Sequence, residues 1–228
     1  MEERYTLYHG TDFRIITMSE KERLDYFSIV KRVIDALWAY FKPLYTTQTQ
    51  VAKKMPDGSY GFVSQPLIEK YRQTFAEQGK ESVYSNLLQK LSMLEARDLG
   101  SGMYQYDSLY LSGDKNKACR YANCSFAGGE YGLIAYRLIE GFDIINPLEF
   151  TPDTGLLSDM DIVKAFSQEN VADPIVVTID GISPKDLLNE DGNPVSVSLF
   201  ENGLHEYLSF RLCKTIDLKN YSIKHLRQ

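Results

Sequence analysis

Cysteine, histidine and tryptophan are scarce in this chain, which has three, three and one of them among 228 residues. Cys119, Cys124 and Cys213 are odd in number and lack the spacing of zinc ligands, which favours reduced thiols over a disulfide framework or a structural metal. A domain of this length can also bury enough surface to be stable without such cross-links. The sequence therefore predicts a globular protein of a reducing compartment.

Long apolar runs and an excess of basic residues are absent as well. No stretch approaches the ~20 apolar residues of a membrane span, and the first residues lack the apolar centre of a secretory signal. The net charge of -6 and the pI near 5.2 argue against general, charge-driven binding to nucleic acid or lipid. We therefore expect a cytoplasmic protein that makes no membrane contact.

Linkers, repeats and the common catalytic motifs are missing too. No segment rich in Pro, Gly or Ser divides the chain, so residues 1–228 are interpreted as a single domain. Gly100 and Gly102 follow a helical pattern instead of a strand, which excludes a Rossmann dinucleotide loop. No Walker loop, HExxH, CxxC or GxSxG sequence offers local zinc or hydrolase chemistry.

The N-terminal half carries mainly helical patterns. Its predicted elements are a strand at 4–9, a helix from the capping box of Ser19 with Glu22 to Pro43, a loop or hairpin at 44–65 and a second helical stretch at 66–94. The apolar residues of the first helix recur at helical spacing, which is typical of a face that packs in the core. The sequence assigns no role to the insert 19–97, which can serve as lid, partner surface or core.

The C-terminal half is richer in β-prone runs. They lie at 109–111, 131–139, 175–179, 195–200 and 206–212, with short helices expected at 114–122 and 158–166 and tight turns at 180–181 and 191–192. Helices first and strands later predict an α+β domain rather than an alternating parallel sheet.

Three separated segments carry the residues best suited to chemistry. They are 7–11 (LYHGT), 109–122, in which Tyr110 and Tyr121 are eleven positions apart, and 205–208 (HEYL). In this order and spacing they resemble the H-Y-E branch of the ADP-ribosyltransferases, the group that includes diphtheria toxin and the poly(ADP-ribose) polymerases. Each segment alone is common, but order, interval and strand or helix context are independent requirements.

The resemblance implies a fold and a co-substrate. The fold is the ADP-ribosyltransferase-like one, with split mixed or antiparallel sheets and helices inserted in the N-terminal half, and the co-substrate is NAD. By resemblance, His9 bonds a hydroxyl of the adenine-side ribose and the backbone of Gly10 meets the nicotinamide carboxamide, where a side chain would block the approach. Thr11 and Ser112 are expected to contact NAD beside them.

The reaction implied by the resemblance is cleavage of the N-glycosidic bond of NAD, which develops positive charge on the ribose. Tyr110 and Tyr121 are predicted to enclose the pyridinium ring, where offset stacking and cation–π attraction are each worth about 1 kcal/mol. Glu206 is expected to open a late strand, to hold the nicotinamide ribose and, as an anion in a partly dry pocket, to favour the cationic transition state. Glu206, Tyr110 and His9 are thus the candidate catalytic residues.

Two departures from the family pattern narrow the expected activity. Polymerase-type members usually have Ser eight residues after the first Tyr, where this chain has Ala118, and the arginine-targeting ExE pattern is absent because Leu204 stands two residues before Glu206. The expected function is therefore mono-ADP-ribosyl transfer to a macromolecule, by a bacterial or phage toxin or effector with an antitoxin or immunity protein as a candidate partner. The alternatives are an NAD glycohydrolase and a non-catalytic binding module on the same scaffold.

The acceptor is open between protein and RNA or DNA. In this family the loop before the catalytic Glu helps to choose it, here residues 192–204, with Phe200 and Asn202 as the residues to test. The residues that can form a basic track for a nucleic acid are Lys53, Lys54, Lys115, Lys117, Arg120 and the tail 219–227. An ordinary solvated surface is the alternative interpretation of these charges.

Overall fold

The computed structural model describes residues 4–100, 110–124, 126–145, 152–189, 192–212 and 221–226. The strands are β1 (Tyr5–Asp12), β2 (Gln48–Lys54), β3 (Tyr60–Pro66), β4 (Tyr110–Ser112), β5 (Pro174–Ile182), β6 (Leu187–Leu188), β7 (Ser209–Leu212) and β8 (Tyr221–His225). The helices are α1 (Phe13–Thr17), α2 (Glu20–Thr46), α3 (Arg72–Glu77), α4 (Glu81–Asp98), α5 (Lys115–Asn123), α6 (Glu130–Ile145), α7 (Thr154–Phe166) and α8 (Val197–Glu201). Short 3-10 helices lie at Leu67–Tyr71, Glu169–Val171, Pro184–Asp186 and Leu204–Tyr207. The predicted α+β class is confirmed.

The main sheet has six strands in the order β6-β7-β4-β1-β5-β8. Each described pair of neighbours is antiparallel, and β1 lies inside the sheet between β4 and β5. Tyr8 of β1 is opposite Ser112 of β4, which is in turn opposite Ser209 of β7. The strands of the first two motifs are therefore neighbours within one sheet, and the strand that follows the third motif is next in line. Strands β2 and β3 form a separate hairpin.

The largest hydrophobic core is helical. Helix α2 begins as predicted with a capping box, in which the Glu22 carboxylate accepts from the Ser19 N–H at 2.8 Å. Its apolar stripe packs against α4, α6 and α7, and its fully buried members are Val30, Val33, Ile34, Leu37 and Phe41. Among the described residues, no helix combines the length and apolar character needed to cross a membrane.

A buried ion pair joins the sheet to the helical core. Asp12, at the end of β1, is fully buried and accepts from Nε and Nη2 of Arg14, both at 2.8 Å. The same guanidinium donates to the carbonyls of Phe126 and Phe166 at 2.7 Å and lies 4.2 Å over the Phe166 ring. The Arg14 side chain thus bonds the last carbonyl of α7 and the carbonyl of Phe126, which lies in the segment that leads into α6.

Two predicted strands are wrong, because both segments are helical. Residues 131–139 lie within α6, where Ile134, Leu138 and Phe142 are buried at a spacing of four residues; a continuous apolar run does not distinguish a buried helix from a strand. Residues 197–201 form α8, capped by Ser196. Helices are therefore not confined to the N-terminal half.

Several predicted boundaries shift. Helix α2 does not end at Pro43 as predicted. Pro43 lies in its last turn, and the helix ends at Thr46. Gly181 lies inside β5 with φ 82°, close to a register shift opposite β1, instead of in a turn. The hairpin and the helices at 114–122 and 158–166 are confirmed. Strand β8 was not predicted, and Leu109, Asp191, Cys213 and most of 219–227 lie outside the described residues.

Candidate functional site

The first two motifs meet because helix α5 lies directly on the backbone of β1. A Cβ atom added to Gly10 would stand 1.9 Å from the carbonyl oxygen of Ala118 and 2.8 Å from the amide nitrogen of Ala122. Both alanines are buried with Val176 of β5, so their small size completes the contact. The structure therefore explains Gly10 by helix packing, and contact of its backbone with NAD stays a prediction.

A second glycine brings the third motif to the second. Gly113 follows β4, and a Cβ atom there would lie 2.3 Å from the carbonyl oxygen of His205 and 3.0 Å from Cα of Glu206. The pairing of Ser112 with Ser209 continues this contact into the sheet. Glu206 is thus placed at the end of the strand that begins with Tyr110, although the two are far apart in sequence.

His9 makes the direct link between the first two motifs. Its Nδ1 lies 2.8 Å from the backbone carbonyl oxygen of Tyr110. A carbonyl oxygen accepts and cannot donate, so Nδ1 carries the proton in this bond. Burial lowers the pKa of His9, and the bond to Tyr110 offsets part of that effect. The ring is therefore neutral near pH 7, and Nε2 is left as a hydrogen-bond acceptor.

The two candidate stacking tyrosines are on the same side of the sheet. Leu111 is buried in the sheet core with Leu7 and Phe210. Because side chains alternate along a strand, Tyr110 leaves β4 on the opposite face, which is the face that α5 covers. Tyr121, on α5, is 46% exposed.

His9 leaves its strand on the other face. It stands between Tyr8, which packs against the alanines of α5, and Gly10, which faces the same helix. Its ring reaches Tyr110 through the backbone carbonyl at the place where β4 begins. The structure therefore brings His9 to the main chain of Tyr110, while the phenol of Tyr110 lies on the α5 side.

Two of the predicted NAD contacts are buried. Thr11 is 5% and Ser112 4% exposed. Oγ of Ser112 accepts from the backbone N–H of Asp114 at 3.1 Å, and Asp114 in turn caps α5. Ser112 thus contacts the residue that caps α5, the helix that carries Tyr121. Contacts of Thr11 and Ser112 with NAD stay predictions.

Glu206 does not open a strand, and its surroundings are not dry. It lies in the 3-10 helix Leu204–Tyr207, three residues before β7, and its side chain is exposed. The turn is held by its neighbour, because the ring of His205 stacks on Phe200 at 4.7 Å and 14° between planes. Glu206 is therefore a carboxylate presented to solvent by an anchored turn.

Phe200 is wrongly predicted as a residue that chooses the acceptor. It is 3% exposed and packs between His205 and Phe210, so it belongs to the sheet core. Asn202 is exposed, but its amide donates to the carbonyl of Ser198 at 2.8 Å and closes the end of α8. The loop keeps its position before Glu206, with other side chains facing outward.

Sequence reasoning missed the residues that assemble the site. The pair of Asp12 and Arg14 lies directly after the first motif, and Gly113 stands between a strand and a capping Asp, which marks a turn. Their partners are distant in sequence, so the pattern gave no sign of what they contact. His205 sits inside the third motif, and only its packing on Phe200 shows what it does.

A hollow of about 390 Å³ lies elsewhere, between α6 and α7, and contains none of the motif residues. It is lined by two ion pairs, Arg137 with Glu140 and Lys164 with Asp143. These four charges neutralise one another in pairs, so the hollow has no excess charge to attract an ionic ligand. The chemistry-bearing residues are instead those where β1, β4 and the turn before β7 meet.

Comparisons with protein-family models, with curated proteins and with solved structures give no significant match to this chain. The candidate site is therefore defined by the geometry of the chain itself. Three segments that are distant in sequence meet at the centre of one antiparallel sheet, through one imidazole and two glycines.

Proposed function

We propose that the chain is a mono-ADP-ribosyltransferase of the H-Y-E type that consumes NAD. The observation that supports this proposal is the meeting of all three motifs: the His9 ring bonds the Tyr110 carbonyl at 2.8 Å, and the backbone at Glu206 abuts Gly113 at the other end of the same strand. Neighbouring strands of one sheet and the turn before β7 thus carry all three motifs, with the His9 ring on the face opposite the phenol of Tyr110.

The side chains of the motif residues differ in how well they are placed to contact NAD. The neutral ring of His9 offers Nε2 to a ribose hydroxyl, since Nδ1 is engaged. Tyr110 and Tyr121 lie on the α5 side of the sheet, opposite the face that His9 occupies, and the ring of Tyr121 is 46% exposed, so it can stack on a planar cation, worth about 1 kcal/mol. Thr11 and Ser112 fit less well because both are buried.

Glu206 would act on the ribose. Its carboxylate accepts hydrogen bonds from sugar hydroxyls, and its negative charge favours the positive charge that develops at the anomeric carbon as nicotinamide leaves. The acceptor nucleophile then forms the new bond at that carbon and gives up its proton, for which Glu206 is the candidate base. The exposure of Glu206 also lets water reach the same carbon, so hydrolysis of NAD is the competing outcome.

The test is nicotinamide release from NAD by the parent, Glu206→Gln and Glu201→Gln. Glu201 is a matched control, because it is an exposed glutamate in the neighbouring helix α8. Glu206→Gln should lower the rate by at least about tenfold, less than the loss of a group in a water-excluded site because Glu206 is exposed, and Glu201→Gln should leave it unchanged. Parent-like release by Glu206→Gln would reject the mechanism.

Labelled NAD separates the two outcomes of cleavage. Label that remains on protein or on nucleic acid after denaturation means transfer, and free ADP-ribose without labelled macromolecule means hydrolysis. Absence of NAD binding by calorimetry would leave the non-catalytic module as the interpretation. Growth arrest on expression of the parent, but not of Glu206→Gln, would support the role as a toxin.

A further inference from the structure

The hairpin of β2 and β3 presents two aromatic rings to solvent. Tyr60 and Phe62 are 77% and 78% exposed, more than most large hydrophobic side chains of the described chain. As alternate residues of one strand they share a face, with Cα atoms roughly 6.6 Å apart. Across the hairpin, Lys54 stands opposite Tyr60 and Ala52 opposite Phe62. Neither Lys54 nor Ala52 covers the ring opposite it, so both rings stay exposed.

The charge of the hairpin is opposite to that of the whole chain. Strands β2 and β3 contain Lys53 and Lys54 and no Asp or Glu, in a protein with 31 acidic residues and a net charge of -6. The turn adds one negative charge, because the N–H and hydroxyl of Ser59 donate to the Asp57 carboxylate at 3.0 and 2.7 Å and lower the pKa of Asp57. The hairpin is thus a local basic surface with exposed aromatic rings.

We propose that this hairpin binds single-stranded nucleic acid. Aromatic rings on an exposed sheet face stack on unpaired bases of any sequence, and Lys54, on the same face as the rings, can neutralise a phosphate. Gln50 and Ser64, opposite each other further along the same face, offer hydrogen bonds to base edges.

The first test measures binding of a fluorescein-labelled oligo(dT) or oligo(U) of about 15 nucleotides, without NAD. The variants are Tyr60→Ala with Phe62→Ala, and the matched control Tyr221→Ala, an exposed tyrosine of β8. The parent should bind, the double variant should bind roughly thirtyfold more weakly or worse, and the control should bind as the parent does. Thermal melting should be the same for all three, because the rings are exposed.

The second test is the dependence of affinity on salt. Lys54→Gln should lower the slope of log affinity against log salt by about 0.7, as expected for one phosphate contact on a single strand, and Lys53→Gln, on the opposite face of the hairpin, is the matched control. A duplex of equal length should bind at least about tenfold more weakly than the single strand, since its bases are already stacked.

The outcomes separate this proposal from the proposed function. Unchanged oligonucleotide binding in the aromatic double variant, no binding by the parent, or equal binding of duplex and single strand would overturn the hairpin's role. Binding that depends on the rings, in a protein that releases no nicotinamide, would support the binding role and overturn the enzyme.

Discussion

The helical core and the motif-bearing part of the sheet are stabilised by different kinds of contact. In the helical core, large apolar side chains such as Leu37, Phe41 and Phe75 are fully buried. In the motif region, the close contacts are between backbones, at Gly10 and Gly113, and a buried carboxylate replaces a hydrophobic anchor at Asp12. Side chains can repack around a change in volume, whereas two backbones in contact cannot.

This difference separates stability from activity. Substitutions in the helical core should lower the free energy of unfolding and leave NAD cleavage by the folded molecules unchanged. Substitutions in the motif region should affect both quantities, because the same contacts hold the fold and position the candidate catalytic residues.

Phe41→Ala should have the largest effect on stability. It removes a fully buried ring from α2 and leaves a cavity, which should lower the free energy of unfolding by about 4 kcal/mol in a denaturant titration. Leu24→Ala is the control on the same helix, because Leu24 is 58% exposed. Loss of activity in Phe41→Ala molecules that are still folded would show that the two regions are not separable.

Asp12→Asn should destabilise both regions together. It takes the negative charge away from Arg14, whose guanidinium also bonds two backbone carbonyls, and loss of a buried partner costs about 3 kcal/mol. Asp35→Asn, in an exposed ion pair with Lys31, should change the free energy of unfolding by less than about 1 kcal/mol. Equal melting temperatures for the two variants would contradict the buried ion pair as a junction.

Gly10→Ala should cost about 2 kcal/mol and should lower nicotinamide release more than tenfold. Its methyl group would overlap the Ala118 carbonyl, so α5 and Tyr121 must move. Gly155→Ala, in α7, meets just the side chain of Asp153 at 3.2 Å and serves as the control. A Gly10→Ala protein that keeps its activity would show that α5 need not touch β1 for function.

His9→Gln should make stability less sensitive to mild acid. Burial lowers the pKa of His9 below its ordinary value of 6.5, so the unfolded chain binds the proton more readily than the folded one. The parent therefore loses stability as the pH falls through 6.5 towards the lower folded pKa, by at most about 1.4 kcal/mol per unit, and the variant lacks this loss. Parallel stability curves for the two proteins between about pH 8 and pH 5 would argue against a lowered pKa of His9 in the folded protein.

Asp98→Asn should have the smallest effect, about 1 kcal/mol, since Asp98 is partly exposed. Lys42 and Trp38 both donate to its carboxylate and lower the pKa of Asp98 to about 2. Its contribution is present above its ordinary pKa of 3.8 and is lost as the pH falls towards 2. Fluorescence of the single tryptophan reports the change, and Asp161→Asn, an exposed carboxylate of α7, should not alter it.

The sequence predicted the regular parts of the fold and misjudged those that depend on distant contacts. The capping box at Ser19 and the stripe of α2 are local patterns, and the structure confirms them. Residues 131–139 are β-prone by composition, yet they form a helix because they pack against α2 and α4. Tertiary packing overrides the β propensity of this segment.

The proximity of the three motif segments was predictable from the sequence, and the arrangement of their side chains was not. The motif order suggested that His9, Tyr110 and Glu206 belong together, and the sheet puts their segments side by side. The exposure of Glu206 and the burial of Ser112 and Phe200 depend on which face each element covers. The face on which a side chain lies and its burial both depend on packing between elements far apart in the chain, so they cannot be inferred from a single sequence.

The position of β1 inside the sheet has a consequence for synthesis of the protein. Its main neighbour is β5, and the bonded pair Thr6 and Asp180 are 174 residues apart. On a ribosome, β1 can meet β4 once residues 110–112 have emerged, but its longer pairing, with β5, needs most of the polypeptide, and such long-range closure folds slowly. We expect the sheet that carries the three motifs to be complete only after the last third of the chain has emerged.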